Sequence, residues 1–135
     1  MTLVLKIITP EKEVINEQID QVYITTTQGE IGILPNHADL MTKVMPGELR
    51  IKKSNKESFL ATGEGFVQVK NNIVTVLTDL AIDEKDIDEK SAEEARKRAK
   101  LALEGNLSDE EYAETFAMLQ KSLAQLNIKR RNRNR

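Results

Sequence analysis

His37 is the sole histidine in the chain, and there is no cysteine. A typical zinc site draws its ligands largely from those two residue types, and a histidine-activated nucleophile needs a base and an orienting partner that this sequence does not group. No paired carboxylates, metal cluster or activated nucleophile stands out above chance, so an enzyme on this scaffold is disfavoured. What remains is charge. Arg96, Lys97, Arg98 and Lys100 cluster in one segment, and from Lys121 onward six basic residues and no acidic one occur, ending Lys129-Arg130-Arg131-Asn132-Arg133-Asn134-Arg135. The chemistry on offer is ion pairing to carboxylates or phosphates, a binding function without bond-making.

Phosphates are the weaker match. Residues 1–84 hold 8 Lys+Arg against 12 Asp+Glu, a balance of −4, and residues 85–135 hold 12 against 10, a balance of +2. Tyr23, Phe59, Phe66, Tyr112 and Phe116 are not interleaved with basic residues as a base-stacking platform requires, so no nucleic-acid partner is expected. No apolar run approaches the roughly 20 residues that span a bilayer, and Met1-Thr2-Leu3-Val4-Leu5-Lys6 does not read as a secretory signal. These features predict a chain facing the cytosol or an equivalent compartment, with no direct membrane insertion.

Two kinds of element must carry these charges. Up to Thr78 the sequence is rich in β-branched residues and broken by turn chemistry at Gln28-Gly29, Pro35-Asn36, Pro46-Gly47, Ser54-Asn55, Gly63-Glu64-Gly65 and Asn71-Asn72. Short strands are predicted at 3–9, 13–15, 19–27, 30–34, 38–44, 48–53, 57–62, 65–70 and 73–78, with a tight hairpin at Asn71-Asn72. Many short strands with no helical period between them predict an antiparallel β-sandwich or barrel.

After Asp83 the composition turns to alanine, glutamate, lysine and arginine without proline. A boundary is predicted between a β domain over 1–84 and a helical arm over 85–135. Asp88 reads as the N-cap of a helix ending near Gly105, and Ser108 with Glu111 reads as the capping box of a second. Tyr112, Phe116, Leu119, Leu123 and Leu126 recur at helical spacing, opposite a smaller stripe of Ala92, Ala95, Ala99 and Ala102 with Leu103. The fold class predicted is thus mixed β then α: an antiparallel sandwich followed by an antiparallel two-helix hairpin. An alanine face buries little area, so the hairpin is expected to dock on a neighbouring surface and to exchange one surface for another.

The stretch Gly29-Glu30-Ile31-Gly32-Ile33-Leu34-Pro35-Asn36-His37-Ala38 is followed by Pro46-Gly47, Gly65-Phe66-Val67, Asn72-Ile73-Val74-Thr75-Val76-Leu77, Ile87-Asp88, Tyr112-Ala113 and Ala124-Gln125-Leu126. In this order and spacing they resemble the epsilon subunit of F-type ATP synthases over nearly the whole chain. The resemblance implies a non-catalytic rotor part whose sandwich binds the gamma subunit and the ring of c subunits. It also implies an arm that folds down on the sandwich or extends to the alpha and beta subunits and inhibits ATP hydrolysis. Its site would be peripheral, on the cytoplasmic face of a bacterial inner membrane or the stromal face of a thylakoid.

Carried over residue by residue, the resemblance makes Glu30, Gly32 and His37 the c-ring-facing loop, although Asp39 stands where the family usually has proline. Arg96, Arg98, Lys100, Lys121, Lys129, Arg130 and Arg131 become candidates for gripping an acidic segment of the beta subunits. Some members bind ATP through a motif that here reads Ile87-Asp88-Glu89-Lys90-Ser91-Ala92, with Asp88 and Arg98 at nucleotide-contacting positions. Ser91 replaces the motif arginine and supplies neither its charge nor its fork of donors, so weak ATP binding or none is expected, and no other cofactor.

Overall fold

The computed structural model describes residues 2–133, with side chains through Arg131; Asn134 and Arg135 of the basic tail lie outside the described residues. The strands are β1 (Leu3–Ile8), β2 (Glu13–Ile19), β3 (Gln21–Thr26), β4 (Gly29–Ile33), β5 (Leu40–Val44), β6 (Gly47–Lys53), β7 (Lys56–Thr62), β8 (Gly65–Lys70), β9 (Ile73–Thr78) and β10 (Ala81–Asp83). A 3-10 turn at Glu84–Asp86 leads to α1 (Glu89–Leu103) and α2 (Asp109–Arg133).

The strands form one continuous sheet in the order β10-β7-β6-β3-β5-β8-β9-β1-β2, with β4 branching from β3. Leu3, Leu5 and Ile7 of β1 share a buried cluster with Val67 and Val69 of β8, Leu49 and Ile51 of β6, and Leu60 of β7. Strands far apart in the sheet order meet in that cluster, so the sheet folds over on itself into a sandwich with its apolar faces inward. Alternation is clean in β1, β3, β8 and β9, as expected where one face is buried and the other solvated. Asn71 and Asn72 (φ 52° and 61°) and Ser54 and Asn55 (φ 52° and 63°) place both central residues of their hairpin turns in the left-handed region. Two-residue hairpin turns of this twist require that conformation, and asparagine tolerates it better than most residues.

Three features differ from the sequence reading. Pairing of β1 with β9 is parallel, from Val4↔Ile73 to Ile8↔Leu77, so the sandwich is not wholly antiparallel. Residue alternation fixes which face a strand buries but not its direction, and here the whole of β2 to β8 serves as the crossover. β2 extends to Ile19 because it pairs with the length of β1, while its Asn16, Glu17 and Gln18 face solvent. β10 adds a short strand on the β7 edge, through Ala81↔Thr62 and Ile82↔Ala61.

The helices begin where the caps placed them. Asp88 accepts from the Ser91 N–H at 3.2 Å and from the Ser91 hydroxyl at 3.0 Å. Ser108 Oγ accepts from the Glu111 N–H at 3.1 Å, and Glu111 Oε1 accepts from the Ser108 N–H at 3.3 Å, a reciprocal capping box. α1 and α2 lie against each other as a hairpin, and α2 also runs across β6 and β7. That second contact is why Phe59, Leu60, Ala61 and Thr62 are buried in succession, since β7 has the sandwich core on one face and α2 on the other.

Candidate functional site

The surface between α2 and the sandwich combines a small apolar patch with ion pairs on either side. Phe59 and Ala61 of β7, Ile87 before α1, and Ala124 and Ile128 of α2 form one buried cluster, with Ile82 packed against it. Toward the end of α2, Arg131 meets Glu48 of β6 through two bonds, Nη1 to Oε2 at 3.2 Å and Nη2 to Oε1 at 2.8 Å. Its guanidinium carbon also lies 4.5 Å from the Phe59 ring centroid. Near the middle of α2, Lys121 Nζ donates to Asp79 Oδ2 at 2.8 Å, and beside Arg131, Lys129 Nζ donates to the Glu84 carbonyl at 3.4 Å.

Arg130 instead ties α2 to α1, reaching Glu89 at 3.3 Å and Glu93 at 2.9 Å. Arg96 also bonds Glu93, from Nε at 3.1 Å. The Arg96 guanidinium, joined by Arg130, holds the Glu93 carboxyl down to about 2 against a desolvation that acts to raise it. Arg96 is raised in turn by the same Glu93 bond. Of the seven basic residues singled out from the sequence, Arg96, Lys121, Lys129, Arg130 and Arg131 are thus engaged within the chain, while Arg98 and Lys100 are exposed on α1. Spacing signals only the Arg96–Glu93 pair, three residues apart; the partners of the other four lie 37 to 83 residues away.

The apolar stripe on α2 requires correction. Tyr112, Phe116 and Leu123 are 49%, 42% and 39% exposed; Leu119 is half-buried, and only Leu126 is fully buried. The buried positions are Ala117, Ala124 and Ile128 on one side of the helix and Ser122 and Leu126 on another. Two faces are covered because α2 has two neighbours, and small residues let it approach both closely. Tyr112 and Phe116 stack on each other instead, with ring centroids 6.3 Å apart. On α1, Ala92 and Ala99 are buried and Ala95 is half-buried.

Glu30, Gly32 and His37 do not converge. Glu30 is the second residue of β4 and lies 3.8 Å from Arg50, whose guanidinium stacks 4.2 Å above the Tyr23 ring. Gly32 lies under that ring, where an added Cβ would stand 2.8 Å from Tyr23 Cε1. His37 lies beyond the other end of β4, in a loop fixed by the Asn36 N–H donating to Asn72 Oδ1 at 2.6 Å. β4 pairs with β3 alone, so its outer edge is open.

A second surface escaped the sequence reading. On the outer face of β5, β8, β9 and β1, the register aligns Phe66, Leu77 and Ile8 in one row beside Met41 in the next. Met41, Phe66, Leu77 and Ile73 are 69%, 56%, 51% and 39% exposed. Alternation within β8 and β9 contains this face, but only the strand order joins it into a patch.

Two family models match this chain in succession over residues 2–130. The beta-sandwich domain of the ATP synthase Delta/Epsilon chain matches residues 2–84, and the long alpha-helix domain of the same chain matches residues 85–130. The chain belongs to the ATP synthase delta/epsilon family. Among solved structures, it is similar to a chain of the Euglena gracilis mitochondrial ATP synthase OSCP/F1/c-ring assembly in rotational state 1. That likeness has 20% identity and a TM-score of 0.78 over 93% of this chain and 79% of the other. A chain of the Tetrahymena thermophila mitochondrial ATP synthase central stalk/c-ring is similar at 16% identity and TM-score 0.65, over 96% and 97%. At such identities the likeness speaks to the delta/epsilon fold alone.

Within this delta/epsilon chain, the positions linked to nucleotide lie on one helix, Asp88 at the N-cap of α1 and Arg98 within it. Asp88 is occupied as an N-cap, and the Ser91 N–H bond holds its carboxyl below the usual range. Arg98 lies ten residues on, about 15 Å along the helix axis. The cleft beside Asp88, of about 710 Å³, is lined by Glu89, Glu93 and Glu94 as well as Lys90, Lys97 and Arg130. Its carboxylates oppose a polyphosphate, and Arg130 is already spent on two of them. Among the described residues, no helix is long and apolar enough to cross a membrane and no cluster of acidic or histidine ligands could hold a metal ion.

Proposed function

We propose that this chain is a non-catalytic central-stalk subunit of a rotary ATP synthase, with the sandwich as its coupling part and the helical hairpin as a brake on ATP hydrolysis. The carrying observation is the way the arm docks: a small apolar patch flanked by partly exposed ion pairs, the kind of contact that can be traded for another. Family membership supports the setting, since relatives of this fold stand in central-stalk and c-ring assemblies.

On this reading residues 1–84 bind gamma and the c-ring, with the Met41-Phe66-Leu77 face against gamma and the β4 edge and following loop from Glu30 to His37 against polar loops of the c subunits. The protein is peripheral to the membrane through these partners. Residues 85–135 form the regulatory arm. Extended, the arm would carry its exposed Tyr112-Phe116-Leu123 stripe onto gamma or the alpha and beta subunits. Its basic residues would meet carboxylates of the beta subunits.

Reconstitution with a catalytic head lacking this subunit tests the proposal. The full chain should slow ATP hydrolysis, and less so at high salt, whereas a chain truncated after Asp83 should not. Equal hydrolysis with both would remove the brake and leave the coupling role to be judged by proton-driven synthesis.

A further inference from the structure

We infer that the apolar outer face of β5, β8, β9 and β1 pairs with the same face of a second copy of this chain, about a twofold axis running along β9 through Leu77. The inference goes beyond the proposed function, because it concerns the free chain. It gives this face a second occupant, which must leave before gamma takes its place.

Strand register lays out the contact. Lys43 lies opposite Phe66, Phe66 opposite Leu77, Leu77 beside Ile8, and Ile8 opposite Glu13. Across the sheet the row therefore runs Lys43, Phe66, Leu77, Ile8, Glu13: a cation, three apolar residues and an acid, with Leu77 in the middle. A twofold axis in the plane of the contact exchanges the two ends. Each Lys43 then meets Glu13 of the second copy, each Phe66 meets Ile8, and Leu77 meets itself. The axis brings no like charges together, since the outward residues of β9 are Ile73, Thr75 and Leu77.

The two end charges are available for such a contact. Lys43 and Glu13 are exposed, and among the described residues neither forms an ion pair within the chain. Four strand spacings of about 4.8 Å separate them by about 19 Å, more than twice the screening length of about 8 Å at physiological salt. They do not compensate each other in one copy. Two facing sheets stand only about 10 Å apart, within reach of a lysine and a glutamate extended toward each other. α2 packs on β6 and β7 and leaves Phe66 and Leu77 more than half exposed.

Size decides the strength. Five strands in a row and about five residues along each give a face of roughly 19 by 17 Å, or roughly 300 Å² in projection. A standard interface takes about 800 Å² from each partner, so this pair is weak and reversible, with a Kd of about 10 μM to 1 mM. A larger partner covering the same residues displaces the second copy.

Sedimentation equilibrium of the full chain from about 10 μM to about 1 mM at low salt should show a monomer passing to a dimer. Leu77→Lys sets two lysines on the axis and should leave a monomer throughout, with circular dichroism unchanged. Lys43→Glu alone, or Glu13→Lys alone, turns both symmetric attractions into repulsions and should weaken the dimer about 4-fold or more. An equimolar mixture of those two variants restores attraction at both ends. With one of them isotope-labelled, the amides of Phe66 and Leu77 should shift on mixing, and the unlike pair should form at least as tightly as the unsubstituted dimer.

A monomer at every concentration, a dimer indifferent to Leu77→Lys, or a mixture that pairs no better than either variant alone overturns the inference. Only the isolated chain is present in these measurements. Their failure leaves the central-stalk reading standing, and equal hydrolysis by the full and truncated chains leaves the dimer standing.

Discussion

Single residues here act mostly through their nearest neighbours, and that is why many were legible in the sequence. Asp88 three positions before Ser91 is a cap on any helix that starts there, and the structure uses it so. Asp88→Ala should lower thermal stability by about 1 kcal/mol while Asp88→Ser loses little, as followed by helical circular dichroism. Glu93 was legible only in part, because Arg96 stands three residues on while its second partner, Arg130, comes from 37 residues away. Its carboxyl, at about 2 against an ordinary 4.5, stabilises the folded arm fully above pH 4.5, and that contribution is lost as pH falls through the range down to about 2. The Glu93 carboxyl-carbon chemical shift should therefore titrate well below the ordinary 4.5, and Arg130→Gln should move its midpoint upward. Gly32 likewise has a reason that no local pattern reveals, the Tyr23 ring lying across it.

Elements follow from periodicity, and periodicity has a blind side. β7 reads as a strand from its run of apolar residues, but the reason both of its faces are buried is α2. α2 itself carries a stripe of large apolar residues, yet its smaller faces are the ones that pack. A helix between two neighbours is selected for close approach, so alanine and serine can be buried while tyrosine and phenylalanine stay out. Two variants separate these faces. Phe116→Ala should change the unfolding free energy of the isolated chain by no more than about 0.5 kcal/mol, as for exposed positions. Leu126→Ala, at 1% exposure, should cost about 2–5 kcal/mol in urea-induced unfolding of the arm.

At the scale of the whole molecule, two bodies share one chain, and charge joins them across a small apolar contact. The sandwich core is continuous from β1 to β9 and contains no residue of α1 or α2. Salt should thus act unequally. Raising ionic strength from about 0.01 to about 1 M shortens the screening length from about 30 to about 3 Å, which should speed amide hydrogen exchange in α2 and leave β8 and β9 protected. The sequence alone determined the element types, the turns, both helix caps and the family likeness, because each is written in residues a few positions apart or in motifs that keep their order. Only the tertiary structure decided that β1 runs parallel to β9, which faces of α2 are covered, and where Arg130, Arg131 and Lys121 find their carboxylates. Those outcomes depend on which surfaces meet in space, and local spacing carries no record of a partner 83 residues away.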